Sequence, residues 1–263
     1  MVRIINPVND IVLPINKGFD YFDALQAVRS RIGAAPYNVP SHVDNFMSYT
    51  GLLPHRFNNL VTALSTLGER KWMAYRRFAV THVVLTPPLS PVDQERAATA
   101  TYGGKLVHID PEWDISIWEV PHQPWARFAE RVMSVSTDDD AVRAVARLEN
   151  LGDRTVVLNG PAPSVLTPGT VLNIKRTPES VRIEADSPGG GLLIVADAFW
   201  DGWEATLDGT SVQIKLAEGL VRAVRWPAGR HVLRGYERNC QVHLLCYRRC
   251  LRLCPRQGSM NHP

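Results

Sequence analysis

Residues 192–236 read LLIVADAFWDGWEATLDGTSVQIKLAEGLVRAVRWPAGRHVLRGY, and the fold class turns on this stretch. Short apolar or alternating segments at 191–196, 203–207, 212–216, 220–224 and 231–236 predict strands, because β-branched and aromatic side chains suit a pleated surface. Between them stand turn signals: Asp208-Gly209 and Pro227-Ala228-Gly229, preceded upstream by Ser187-Pro188-Gly189-Gly190. Asp208-Gly209 is the sharpest of these. A two-residue type I′ hairpin requires positive φ at both central positions, which Asp tolerates and Gly accepts freely. Consecutive short strands joined by tight turns predict an antiparallel sandwich or barrel.

Working back from this run, strands are expected at 155–158, 170–174 and 180–185, and a helix at 138–151. Asp138, Asp139 and Asp140 suit the positive end of that helix, and Gly152 suits its exit. A strand is expected at 127–135. Before Pro124 the pattern differs. Helical spacing appears at 20–31 (Phe22, Leu25, Val28), at 55–67 (Phe57, Leu60, Val61, Leu64), at 71–78 and at 91–101. A buried-strand pattern falls at 80–85, and a strand is expected at 105–109. The stretch 114–120 alternates imperfectly but is rich in strand formers, while 34–54, rich in proline and polar residues, reads as a loop. The predicted fold is therefore α+β: a small α/β domain at 1–124, an antiparallel β-sandwich with one appended helix at 125–238, and an irregular tail at 239–263.

The tail distorts the totals. The chain of 263 residues has a formal net charge of +3, yet Arg248, Arg249, Arg252 and Arg256 all lie after residue 238, where no acidic residue stands. Positions 1–238 hold 25 basic and 26 acidic side chains, so the body gives no electrostatic reason to expect nucleic acid. All four cysteines (Cys240, Cys246, Cys250, Cys254) are also in the tail, which leaves the body free of any disulfide constraint. Apolar content of 45% and charged content of 21% are those of a folded chain. No run approaches the ~18 apolar residues of a membrane-spanning helix, and residues 1–6 lack the apolar core of a signal peptide. The expectation is a soluble chain without a visible export signal.

The 192–236 segment resembles the C-terminal soluble region of YfhO-type bacterial membrane proteins, polytopic relatives of GT-C glycosyltransferases. The resemblance lies in the apolar strand 192–195, Phe199-Trp200, Gly202-Trp203, the Asp208-Gly209 hairpin, Val212 with Ile214, Ala223-Val224, the turn Pro227-Ala228-Gly229-Arg230-His231 and the closing Tyr236. Weaker similarity covers 78–85, 117–120 and 124–132. Asp201 departs from the family's usual proline. Beyond Tyr236 the family continues into a membrane helix, whereas this chain enters the Arg/Cys tail, the pattern of a truncated or frame-shifted gene end. The resemblance implies a non-catalytic extracytoplasmic region of a larger protein of cell-surface glycan assembly. Its partners would be the membrane-embedded portion of the parent and a glycan or lipid-linked sugar. The catalytic acidic residue of GT-C proteins lies in membrane-proximal loops that this chain lacks.

Several constellations invite chemistry. Trp200 and Trp203, with Asp197 beside them, could present a stacking face and a hydrogen-bonding carboxylate to a sugar; Phe199 and Trp226 are nearby aromatics. The competing reading is that indoles anchor a small core, and three-residue spacing lets at most one of Trp200 and Trp203 point inward on a regular strand. Asp197, Asp201, Glu204 and Asp208 do not have the spacing of a calcium loop. Cys240, Cys246, Cys250 and Cys254 with His243 lack the close ligand pairs of structural zinc sites. His42, Asp44 and Asn45 form a polar group in the predicted N-terminal loop. There is no G-x-S-x-G, and Gly189-Gly190-Gly191 precedes neither Lys-Ser/Thr nor a helix, so it is not a phosphate loop. No catalytic residue, metal or cofactor is assigned. The alternatives to the accessory-region reading are a free-standing carbohydrate-binding sandwich module and a glycan-acting enzyme built on the N-terminal α/β domain.

Overall fold

The apolar run that opens the deciding stretch does not alternate, and the computed structural model shows why. It describes residues 3–5, 44–45, 55–68, 71–86, 89–148, 154–177, 180–199 and 202–237. In the strand Gly191–Ala198, Leu193 and Val195 face one hydrophobic cluster while Leu192 and Ile194 face another. A strand covered on both faces has no solvent side on which to place polar residues.

The strands in chain order are β1 (Arg3–Ile5), β2 (Asp44–Asn45), β3 (His82–Leu85), β4 (Lys105–Asp110), β5 (Ile115–Glu119), β6 (Ala126–Phe128), β7 (Arg131–Val135) and β8 (Thr155–Asn159). There follow β9 (Thr170–Arg176), β10 (Ser180–Ser187), β11 (Gly191–Ala198), β12 (Trp203–Leu207), β13 (Thr210–Val212), β14 (Ile214–Ala217), β15 (Val221–Trp226) and β16 (Gly229–Glu237). The α-helices are α1 (His55–Ser65), α2 (Lys71–Arg77), α3 (Pro91–Arg96), which runs on into a π-helical turn at Ala97–Thr101, and α4 (Asp138–Arg147). The helix expected at 20–31 lies outside the described residues.

Among the described residues three sheets form, ordered β2-β1-β3-β5-β4, β13-β12-β16-β10-β9 and β6-β11-β15-β14-β8-β7. The second and third make the sandwich, and the architecture is α+β. Val181, Ile183 and Ala185 of β10, Ala205 and Leu207 of β12, and Leu233 of β16 meet Phe128, Leu193, Val195, Val224 and Trp226 from the facing sheet. The other face of that six-stranded sheet is covered by helices. Leu60 and Leu64 of α1, Trp72 and Tyr75 of α2, and Val142 and Val145 of α4 share one cluster with Val156, Ile194 and Ala223. Trp118 and Val83 of the first sheet join the same cluster. The six-stranded sheet thus lies between a sheet and a helical layer.

Three predicted elements change in informative ways. The strand expected at 127–135 is two strands: β6 pairs with β11 and β7 with β8, at opposite ends of the six-strand order. Six flat strands at about 4.8 Å spacing would set those ends ~24 Å apart. The three residue steps from Phe128 to Arg131 reach at most about 10 Å, so the sheet has to curl. The segment at 212–216 divides into β13 and β14, which belong to different sheets. The helix expected to end at 151 stops at Arg147, and it starts from Thr137, whose hydroxyl accepts from the Asp140 N–H. That helix is more than an appendage: β7 and β8 are parallel, in register from Arg131↔Thr155, and parallel neighbours need a crossover, which α4 supplies.

Asp208 and Gly209 have φ of 50° and 87°, and Leu207 pairs with Thr210 across them, as a type I′ hairpin requires. Glu218 and Gly219 repeat this between β14 and β15, with φ of 53° and 69°.

Candidate functional site

Four features of the sandwich and its helical layer carry polar chemistry. At one end of the sandwich, Asp197 of β11 sits between two arginines from different sheets. Arg176 Nη2 is 3.6 Å from Asp197 Oδ1, and Arg222 Nη1 is 3.8 Å from Oδ2. Arg222 also donates through Nε to the Ala198 carbonyl at 2.8 Å. Each guanidinium lies over an indole: Arg222 Cζ is 3.5 Å from the Trp203 ring centroid and Arg176 Cζ is 4.3 Å from that of Trp125. The sequence Trp125–Arg176–Asp197–Arg222–Trp203 therefore ties the two sheets together. It is partly open to water, the Asp197 side chain retaining 22% exposure. A sugar stacking on the face of Trp203 that Arg222 covers would have to displace the guanidinium.

On the helical side lies a second carboxylate between two arginines, this one sealed. Glu218, at the β14–β15 turn, is fully buried, and Arg77 and Arg127 are nearly so. Arg77 donates Nη2 to Glu218 Oε1 at 2.5 Å and Nε to Oε2 at 3.3 Å; Arg127 Nη2 reaches Oε1 at 3.4 Å. Arg77 Nη2 also bonds the Thr155 carbonyl and Arg127 Nη1 bonds the Arg77 carbonyl at 3.1 Å, whereas Arg127 Nε is buried without a hydrogen-bond partner. Burial pulls the Arg127 guanidinium below its ordinary pKa, and the Glu218 charge opposes that. Sequence reasoning missed all three residues. Their signal was an arginine inside the apolar run 125–129 and a glutamate-glycine pair between two strands.

At the Asp208-Gly209 hairpin, Asp208 Oδ1 accepts from the Val232 N–H at 2.8 Å and Oδ2 lies 2.5 Å from His231 Nδ1. The other ring nitrogen, Nε2, is 3.0 Å from the Ala228 carbonyl. Two acceptors on one imidazole favour the doubly protonated ring. Accordingly, His231 is raised above its ordinary value, first by Asp208, and Asp208 is held below its own, first by His231.

The fourth feature is an open groove of about 740 Å³ at one corner of the sandwich. Its walls are the 161–165 loop, the Gly189–Gly191 turn and Pro227-Ala228; Gln213, Lys215 and Arg225 supply its polar side. The glycines have a packing reason. A Cβ on Gly189 would fall 2.3 Å from the Thr167 hydroxyl, and Gly190, at φ 83°, accepts from the Thr167 N–H through its carbonyl at 2.8 Å.

Of the residues the sequence singled out, the structure thus brings Asp197 and Trp203 together through Arg222. Trp200 and Asp201 lie outside the described residues, as do His42, His243 and the four tail cysteines. Trp226 is core, 1% exposed, with its ring edge-on to Phe128. Phe199 lies beneath the Arg56 guanidinium at 5.5 Å. Glu204 is half-buried on β12, in register with Tyr236. Asp44 and Asn45 form β2, parallel to β1. Among the described residues, no three His, Cys, Asp or Glu gather as a metal would need, and no helix is long and apolar enough to cross a membrane. Compared with models of known protein families, with curated proteins and with solved structures, the chain finds no match.

Proposed function

We propose that this chain is the non-catalytic, extracytoplasmic region of a larger YfhO-like membrane protein of cell-surface glycan assembly, where it supports or presents a glycan to a membrane-embedded site. The observation that carries the reading is the contact between Asp208 and His231. These residues stand in two separate motifs of the resemblance and meet at 2.5 Å, so the Asp-Gly hairpin and the Pro-x-Gly-x-His turn work as one unit. The use made of the carboxylates agrees with an accessory role. Glu218 and Asp197 are each held between two arginines, where they tie layers together rather than face each other across a substrate. The membrane-embedded portion of the parent is the principal partner.

The genomic DNA flanking the reading frame tests this. In-frame apolar spans of ~18 residues or more are expected, with membrane-proximal loops carrying an acidic residue. Flanking DNA without such spans, or turnover of a glycosyl donor by the purified chain, overturns the proposal.

A second reading is a free-standing carbohydrate-binding module, and the open groove at the corner of the sandwich favours it. Polysaccharide binding by the purified chain, with no membrane partner encoded beside it, would select this reading.

A further inference from the structure

The groove at the sandwich corner has a charge character that neither reading specifies. Its polar lining includes Lys215, Arg225, Gln213 and Ser164, and none of its lining residues is a carboxylate. Ile214 pairs with Val224 and Lys215 with Ala223, so Lys215 and Arg225 are diagonal neighbours on one face of the β14–β15 pair. Diagonal neighbours stand about 7–8 Å apart, within reach of each other's long side chains. Among the described residues, neither cation has a carboxylate within ion-pair distance. Arg77, Arg127, Arg176, Arg222 and Arg230 all meet an acidic partner.

Two adjacent cations without a partner carboxylate, in a groove open to water, make a site for an anion. Val165 is 54% exposed at its wall, so the groove also offers apolar surface to an incoming ligand. A glycan supplies both kinds of group: C–H faces that pack on apolar walls, and hydroxyls for Gln213 and Ser164. A neutral sugar would leave the two cations unmatched.

We infer that the groove binds a glycan bearing acidic groups, with Lys215 and Arg225 contacting the same carboxylate or phosphate, or two successive ones. The choice of a saccharide rests on the glycan-assembly reading above; the requirement for negative charge rests on the groove alone. Open access along the groove suits a chain passing through it, and an arginine fork can hold either acid group through two hydrogen bonds.

The test uses the whole chain in calorimetric titration against four probes: polygalacturonate, phosphorylated dextran, neutral dextran and polyglutamate. Binding to polygalacturonate or phosphorylated dextran and not to neutral dextran is expected, and whichever binds tighter identifies the acid group. Lys215→Ala with Arg225→Ala should weaken that binding about tenfold or more, since hydrogen bonds to charged groups carry ~1.5–3 kcal/mol. Raising ionic strength from about 0.1 M to about 1 M shortens screening from about 10 to about 3 Å and should also weaken it. Arg225 is exposed and Lys215 half-buried, and an unchanged urea midpoint confirms that the double variant folds. Equal binding of neutral dextran, affinity unaffected by the double substitution, or polyglutamate binding as tightly as the acidic glycans overturns the inference. If the flanking DNA encodes the membrane spans and the chain still ignores every saccharide, the groove assignment fails while the accessory-region reading stands.

Discussion

The chain uses the same device twice, with opposite exposure. Arg77–Glu218–Arg127 and Arg176–Asp197–Arg222 each place one carboxylate between two guanidinium groups from different elements, on opposite faces of the six-stranded sheet. The first is sealed, with Glu218 at 0% and its arginines below 10% exposure; the second is open to water at Asp197. A buried charge has lost its hydration and depends wholly on its partners, whereas an exposed one can fall back on solvent and salt. The sealed cluster should therefore be intolerant of change, and the open one forgiving. The sealed cluster joins α2, β6 and the β14–β15 turn, so its loss would loosen the helical layer from the sandwich.

The largest effect should come from Glu218→Gln, which leaves two buried guanidinium groups without a counter-charge. A loss of ~3–5 kcal/mol is expected from urea unfolding with an unchanged denaturant slope. Arg127→Met should cost less, because it leaves the two-bond Arg77–Glu218 pair intact. If the two variants are equally destabilised, the triad is not the unit described here.

Next in size is the stacking that the open cluster adds. A double-mutant cycle between Trp203→Ala and Arg222→Ala should show a coupling of ~0.5–2 kcal/mol for the guanidinium over the indole. Coupling near zero would mean that the 3.5 Å approach adds nothing net to stability. Asp197→Asn should cost less again, about 0–1 kcal/mol, and that cost should shrink as salt is raised. The cost of Glu218→Gln should be insensitive to salt, and this difference in response is the cleanest discriminator between the two sites.

The open cluster was partly legible in the sequence and the sealed one was not, for a physical reason. Asp197 and Trp203 stand six positions apart in a stretch whose strands and turns are locally encoded, so their proximity could be anticipated. Arg77, Arg127 and Glu218 come from three elements separated by 50 to 141 positions, and only the packing of helices on the outer face of the sheet unites them. The same limit explains the strand expected at 127–135. β-propensity marks those residues as extended, but their change of partner from β11 to β8 depends on curling of the whole sheet. The Asp208-Gly209 hairpin was fully legible because its constraint, positive φ at two adjacent residues, is local. What the turn could not show is that Asp208 would also reach His231 and Val232 on β16.

That contact gives the smallest predicted effect and the most specific signature, because it alone of the carboxylate sites should respond near neutral pH. His231 is raised above its usual 6.5, chiefly by the Asp208 carboxylate and then by the Ala228 carbonyl. Its contribution to stability is fully present below about 6.5 and is lost as pH rises through the raised value. Asp208 is depressed below its usual 3.8, chiefly by His231, so its contribution is present above that and lost as pH falls through the depressed value. The pair is therefore strongest in the mildly acidic window between those ordinary values. Proton NMR titration of the His231 ring should find it above 6.5 in the parent chain, and Asp208→Asn should bring it down while Glu218→Gln leaves it unmoved. If the ring titrates at or below 6.5 in the parent, the hairpin is not anchored through this pair, and the contact on which the proposed function leans goes with it.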